Sequence, residues 1–243
     1  MSLYRDEGVV LRTYKLGEAD RIVVLLTSGR GKVRAVAKGV RKTKSRFGAR
    51  LEPPTHVSLL LYEGRELDIV TQAETIDHFR PIREDLARMT DAMAMLEAVD
   101  QVAQEREANP RLSRMLVGAL RTLADRRSSL LVAAFFWKLL SLDGAAPMLD
   151  RCAGCGQAEA DLTGGLVSFD LAEGGALCRD CRRGVPLRPE ALALLKRILG
   201  GGLGQALDEP PGPATTEVAS LATHSLEQHV ERHLRALRAI ELG

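Results

Sequence analysis

The four cysteines of this chain stand in two matched pairs, Cys152-x2-Cys155 and Cys178-x2-Cys181, with 22 residues between the pairs. A two-residue spacing lets two sulfurs reach one ion, and two such turns complete a tetrahedral set of thiolates that suits Zn2+. Gly154 and Gly156 favour the tight turn this needs, because backbone must approach the metal closely. The spacer is slightly longer than the usual zinc-ribbon range. Four thiolates leave no open coordination position, which argues for a structural rather than a catalytic ion. No βαβ pattern surrounds the pairs, so a thiol-redox couple is disfavoured. The first residues carry Arg5, Asp6 and Glu7 and do not read as a secretory leader, so the expected compartment is the cytoplasm, where disulfides are rare. The expectation is one structural Zn2+ held by Cys152, Cys155, Cys178 and Cys181.

A second pattern is electrostatic. Between Arg30 and Arg50 lie Arg30, Lys32, Arg34, Lys38, Arg41, Lys42, Lys44, Arg46 and Arg50, and no acidic residue interrupts them. Each cation that reaches a phosphate releases condensed counterions, so such a strip favours nucleic acid without reading its sequence. The net charge of +2 hides an asymmetry: residues 1–80 carry +5 and the remainder −3. Phe47 sits within the run and Tyr14 and Tyr62 near it, as aromatics do in single-strand sites, although core or rim is the commoner fate of such rings.

Several chemistries find no support. Gly39-Val40-Arg41-Lys42-Thr43-Lys44-Ser45 lacks the order of a phosphate-binding loop. No convergent carboxylates mark a two-metal nuclease, so no catalytic residue is assigned. His224, His229 and His233 lie on the last helical stretch; the last two are at i and i+4 but read as helix surface. The longest apolar run, Leu130 to Leu142, contains Lys138 and is shorter than the ~20 residues a bilayer needs.

The elements that must position these groups follow from periodicity. Gly8 to Thr13, Arg21 to Thr27, Gly31 to Lys38, His56 to Tyr62 and Leu67 to Ala73 read as five strands parted by Gly and Pro turns. In Lys32 to Lys38, residues 33, 35 and 37 are apolar while 32, 34 and 38 are basic, so one face enters a core and the other presents cations. Five short strands suggest an OB-type barrel. From Pro81 the period changes: Ile82, Leu86, Met89, Met93, Leu96 and Val99 mark a helix, Leu112, Met115, Leu116, Ala119, Leu120 and Leu123 a second, and Leu130 to Leu142 a third, which Ser128 or Ser129 would cap. Residues 150–184 show little periodicity. A helix bearing Leu192, Leu195, Ile198 and Leu199 follows, then a loop from Gly200 to Pro213, and a long helix from Thr215 or Thr216 with Val218, Leu221, Leu226, Val230, Leu234 and Leu237 inward. The organisation expected is α+β: a barrel over 1–80, helices over 81–149, a four-cysteine module over 150–184 and further helices over 185–243.

The ordered set of local sequences resembles the RecO family of bacterial recombination mediators. The resemblance rests on Asp6 to Leu11, Lys38 to Phe47, Leu51-Glu52-Pro53, Arg65 to Val70, Arg83 to Leu86, and Leu149 to Gly156. It implies an N-terminal OB-fold, a helical domain and a zinc-binding insertion. It further implies a non-enzymatic protein of the cytoplasm and nucleoid that binds single- and double-stranded DNA and anneals complementary strands. The implied partners are RecR and single-stranded DNA-binding protein, with RecA loading as the outcome. The acidic, apolar-ended tail of single-stranded DNA-binding protein would need a groove with a cationic rim, for which Arg111, Arg114 and Arg121, or Arg232, Arg235 and Arg238, are candidates. A zinc-ribbon transcription or translation factor is the alternative, with a metal-dependent nuclease behind it.

Overall fold

A computed structural model of the protein describes residues 2–41, 45, 47–231, 234 and 236. The chain divides into two compact units, one carrying the residues up to Arg126 and the other Arg127–Leu234.

In the first unit, β1 (Leu3–Leu16), β2 (Asp20–Thr27), β3 (Gly31–Ala37), β4 (His56–Tyr62) and β5 (Asp68–Asp77) close into a barrel with strand order β1-β2-β3-β5-β4. This is the OB type. Closure depends on β1, whose N-terminal half pairs with β4 and whose C-terminal half pairs with β2. That double duty explains why β1 starts at Leu3, five residues before its apolar run. The register slips between Val10 and Arg12, a bulge that lets the strand bend from one partner to the other. Gly8 faces Thr27 on one side and Val57 on the other, and a Cβ there would lie 2.5 Å from the Leu26 carbonyl oxygen. Val10, Val23, Leu25, Val33, Ala35, Ala37, Val57, Leu59 and Leu61 fill the barrel, so the period-2 reading of β3 holds on its apolar face.

Among the described residues, three α-helices join the barrel in this unit. The expected helix from Pro81 is broken into α1 (Arg80–Arg83) and α2 (Leu86–Val102), because Asp85 leaves the helical path and its carboxylate caps the Arg88 N–H at 3.1 Å. Leu86 is therefore exposed, and Met89 and Met93 are only half-buried. α2 instead buries Ala92, Ala94, Met95, Leu96, Ala98, Val99 and Val102, on more than one side. Arg83 donates from Nη2 to the Glu52 and Pro54 carbonyls at 2.9 and 3.1 Å and to Thr55 Oγ1 at 2.6 Å, which ties α1 to the loop before β4. α3 (Pro110–Asp125) is capped by Asn109 and buries Leu112, Leu116, Leu120 and Leu123; Met115 and Ala119 are half-buried.

In the second unit, α4 (Leu131–Leu142) is apolar nearly all round. Trp137 packs edge-on to Phe169 and donates from Nε1 to the Val218 carbonyl at 3.3 Å. Ser128 Oγ accepts from the Leu130 N–H just before the helix. α5 (Pro189–Leu199) buries Leu192, Leu194, Leu195 and Ile198, with Leu199 half-buried. The stretch read as a loop from Gly200 to Pro213 contains a short helix, α6 (Leu203–Leu207), because Ala206 and Leu207 find burial. α7 (Pro213–His229) starts at Pro213, two residues before the expected Thr215, since proline fits the first helical turn. Leu234 is buried beyond the helix end, and Leu237 lies outside the described residues. The cysteine module and the two residues after it form a sheet unseen in the sequence, of β6 (Leu166–Asp170), β7 (Gly175–Cys178) and β8 (Val185–Pro186) in the order β7-β6-β8.

Two expectations follow for stability. Gly8→Val should destabilise the protein by about 1–3 kcal/mol, the usual range for overpacking, as read by chemical denaturation. His56 is buried, its Nδ1 without a hydrogen-bond partner among the described residues, and burial, helped by Arg121, pulls its pKa down against the charges of Glu7 and Asp77. A lowered folded pKa means that its contribution is intact above the unfolded value, about 6.5, and is lost as pH falls below it. Denaturation midpoints should therefore drop on the acid side of neutrality, and less so in His56→Gln.

Candidate metal centre and nucleic-acid interface

The four cysteine sulfurs lie within 4.8 Å of one another. A tetrahedral zinc–thiolate site, with Zn–S near 2.3 Å, spaces its sulfurs about 3.8 Å apart, so the four thiols fit one ion with small adjustments. Two turns bring them together. In the first, the Cys152 N–H donates to the Gln157 carbonyl at 2.9 Å and the Gly156 N–H returns to the Cys152 carbonyl at 2.8 Å. Gly156 has φ +76°, a value that favours glycine. Gly154 is needed for a different reason: a Cβ there would sit 3.1 Å from Cys181 Cβ and 3.2 Å from its sulfur. The second turn follows β7, and the Ala153 N–H, bonded to the Ala176 carbonyl at 2.8 Å, fixes one turn to the other.

Cys152 and Cys178 are buried, Cys181 is half-buried and Cys155 is exposed. Burial opposes the Cys152 thiolate, but the N–H groups of Cys178, Cys155 and Gly154 and the Cys155 thiol donate toward its sulfur and bring it down to about 6. Cys181, hydrogen-bonded to Cys178 and Cys152, is pushed up to about 12. The cluster thus already stabilises negative charge on a sulfur at its centre, which is what a cation would need. Among the described residues these cysteines are the one metal-capable group. His229 Nε2 lies 2.6 Å from Asp143 Oδ2, His224 Nδ1 lies 2.8 Å from the Ser220 carbonyl oxygen, and His233 is outside the described residues.

The basic run divides into three groups. Arg30, Lys32 and Arg34, on or beside β3, are all engaged. Arg30 Nη1 lies 2.9 Å from Glu63 Oε1, with its guanidinium 3.8 Å from the Tyr4 ring centroid. Lys32 Nζ donates to the Asp100 carbonyl at 2.6 Å and lies 3.8 Å from its carboxylate. Arg34 Nε is 3.0 Å from Glu105 Oε1. Lys38, Arg41 and Arg50 are exposed. Arg41 is held beside the β1–β2 hairpin: its N–H donates to the Ala19 carbonyl at 3.0 Å and its Nη1 to the Gly17 carbonyl at 3.3 Å. Lys42, Lys44 and Arg46 lie outside the described residues. Phe47 is a core residue, 1% exposed, and offers no ring to a base.

Other groups at this face escape a sequence reading. Arg12, on β1, lies with its guanidinium 4.7 Å from the exposed Tyr14 ring and its Nε 2.7 Å from the buried Asp100. Glu105 and Arg106, between α2 and α3, meet β3 and β5 through contacts separated by many residues, so no local pattern announces them. The candidate rim Arg111, Arg114 and Arg121 is exposed on α3, but Leu112 and Leu116 point inward. Arg232, Arg235 and Arg238 lie outside the described residues.

Comparison with protein families decides the identity of this arrangement. The family described as Recombination protein O N terminal matches residues 1–79, the barrel, and Recombination protein O C terminal matches residues 83–238. The chain belongs to the RecO family. Its role is therefore in DNA repair and recombination, and it binds DNA. In this RecO protein the four thiols can hold a metal ion, and no helix among the described residues is long and apolar enough to cross a membrane.

Replacing a buried ligand should show whether the ion supports the fold. Cys152→Ser and Cys178→Ser should each lose bound metal by elemental analysis and lower the melting temperature, because structural ions contribute folding free energy. Metal content and melting temperature equal to the parent's would rule that out.

Proposed function

We propose that this RecO protein is a non-enzymatic recombination mediator that binds single- and double-stranded DNA and anneals complementary strands. In this reading it acts with RecR on strands covered by single-stranded DNA-binding protein, whose tail it receives, and so helps to load RecA. Its resident ion is a structural Zn2+, which Cys152, Cys155, Cys178 and Cys181 would hold. Four thiolates suit zinc and leave it no site for a reacting water, so the ion supplies rigidity to the turns after Leu149 and β7.

The observation that carries the reading is the exposed group Lys38, Arg41 and Arg50, next in sequence to Lys42, Lys44 and Arg46, on a chain matched by the family throughout. Annealing needs no bond making. Two polyanionic strands repel, and a cationic surface lowers that repulsion and raises local strand concentration, so that base pairing nucleates. Such contacts run to phosphate and are indifferent to sequence.

An annealing assay on complementary strands, bare or coated with single-stranded DNA-binding protein, tests the function. The parent should accelerate annealing for any sequence. Changing Lys38, Arg41, Lys42 and Lys44 to Glu should weaken binding to all sequences alike and reduce the slope of log K against log salt by up to about 0.9 per lost duplex phosphate contact. Unchanged binding across the salt titration would remove these residues from the interface. Sequence-specific duplex binding without annealing would favour a zinc-ribbon transcription factor instead.

A further inference from the structure

The cations of β3 are engaged by groups from the end of α2 and from the connection that follows it. After α2, Gln104 to Glu107 runs beside the start of β3. The Lys32 N–H donates to the Gln104 carbonyl at 3.2 Å, and the Arg106 N–H donates to the Lys32 carbonyl at 3.0 Å. A Cβ on Gly31 would fall 1.8 Å from the Glu107 carbonyl oxygen, so the connection lies directly on the strand. Arg106 holds φ +60°, a costly value for a residue with a side chain, and its Nη2 is fixed 2.9 Å from the buried Asp68. The backbone of the connection is therefore pinned at both ends of this short stretch.

Two acidic side chains, one on α2 and one on the connection, meet cations of the barrel in different ways. Asp100, at the end of α2, has only 4% of its side chain exposed and lies between Arg12, at 2.7 Å, and Lys32. Removing either cation from a buried carboxylate leaves an uncompensated charge, so these two belong to the architecture. Glu105 differs. Its side chain is 51% exposed, that of Arg34 is 44% exposed, and they meet at 3.0 Å. An exposed pair of this kind is weak and is easily exchanged for another anion.

We propose that Glu105 is an internal competitor for DNA phosphate at Arg34: its carboxylate occupies the guanidinium in the free protein, and a phosphate oxygen displaces it on binding. This rests on the proposed DNA contact of the barrel face. Because the backbone is pinned, displacement needs only rotation of the Glu105 side chain. The exchange trades one anion for another, so Arg34 adds little affinity and little salt dependence, and binding at this face stays loose enough for strands to be released. Glu107, exposed two residues further on, makes no ion pair among the described residues and serves as a control for mere change of net charge.

The test is a salt titration of oligonucleotide binding by the full chain, as parent, Glu105→Gln, Glu107→Gln, Arg34→Ala and the Arg34→Ala/Glu105→Gln double variant. Glu105→Gln should bind about two- to fivefold tighter at low salt, the span of an exposed ion pair. Its log–log salt slope should steepen by up to about 0.7 on single strands or 0.9 on duplex. Glu107→Gln should do less, and the gain should vanish when Arg34 is already Ala, since a double-mutant cycle isolates the pair. Equal effects of the two glutamate variants, or a gain that survives without Arg34, would overturn the competitor role while leaving DNA binding intact. A parent with no salt-dependent binding at all would overturn the DNA reading and this inference with it. Melting temperatures matching the parent's would show that the variants differ in binding, not in folding.

Discussion

The barrel depends on one constraint: β1 must be hydrogen-bonded along both edges where its two pairings overlap. At Gly8 and Val9 the strand pairs with β2 and β4 at once. Only a residue without a side chain fits at Gly8, where a Cβ would lie 2.5 Å from the Leu26 carbonyl oxygen. The bulge after Val10 then redirects the strand so that Arg12 and Tyr14 emerge on the outer surface beside β2. Because β2 carries β3 in strict register from Arg21↔Ala37 to Thr27↔Gly31, the side chains of Lys32 and Arg34 are set outward by the same constraint.

Outward placement is not the same as availability. A cation on a strand face lowers the free energy of any anion that reaches it, and the nearest anions belong to the chain itself. Three of the cations that sequence marks for phosphate meet Glu63, Asp100 or Glu105, whereas Lys38 and Arg41 are exposed at the end of β3 and just beyond it. The electrostatic surface of the barrel is therefore graded. Buried partners lock some charges into the fold, exposed partners hold others in exchangeable pairs, and the exposed group sits at the end of β3 and in the connection that follows it.

The four-thiol centre shows a similar division between fold and chemistry. Two close backbone approaches, Gly154 against Cys181 and the Ala153 N–H against Ala176, set one turn against the other. Hydrogen bonds converging on Cys152 already favour a thiolate there. A cation bound by this cluster would take the place of the thiol protons.

The sequence by itself determined the features whose signals are local. The five strands follow from period-2 runs, the core face of β3 from Val33, Ala35 and Ala37, and the metal-capable set from two CxxC spacings. The family too was legible, because ordered local motifs carry it and the matches cover the same residues. Tertiary structure decided what depends on distant partners. Helical spacing marked Leu86 as buried, but Asp85 caps a new helix there and leaves Leu86 in solvent. Helices α1–α3 lie in the same compact unit as the barrel, and the change of pattern in the sequence falls near residue 80. The sheet of the cysteine module pairs strands only two to five residues long, too short for periodicity to register. The pairing of Arg34 with Glu105 joins residues 71 apart, and charge patterning along a chain carries no information about which anion folds back onto which cation.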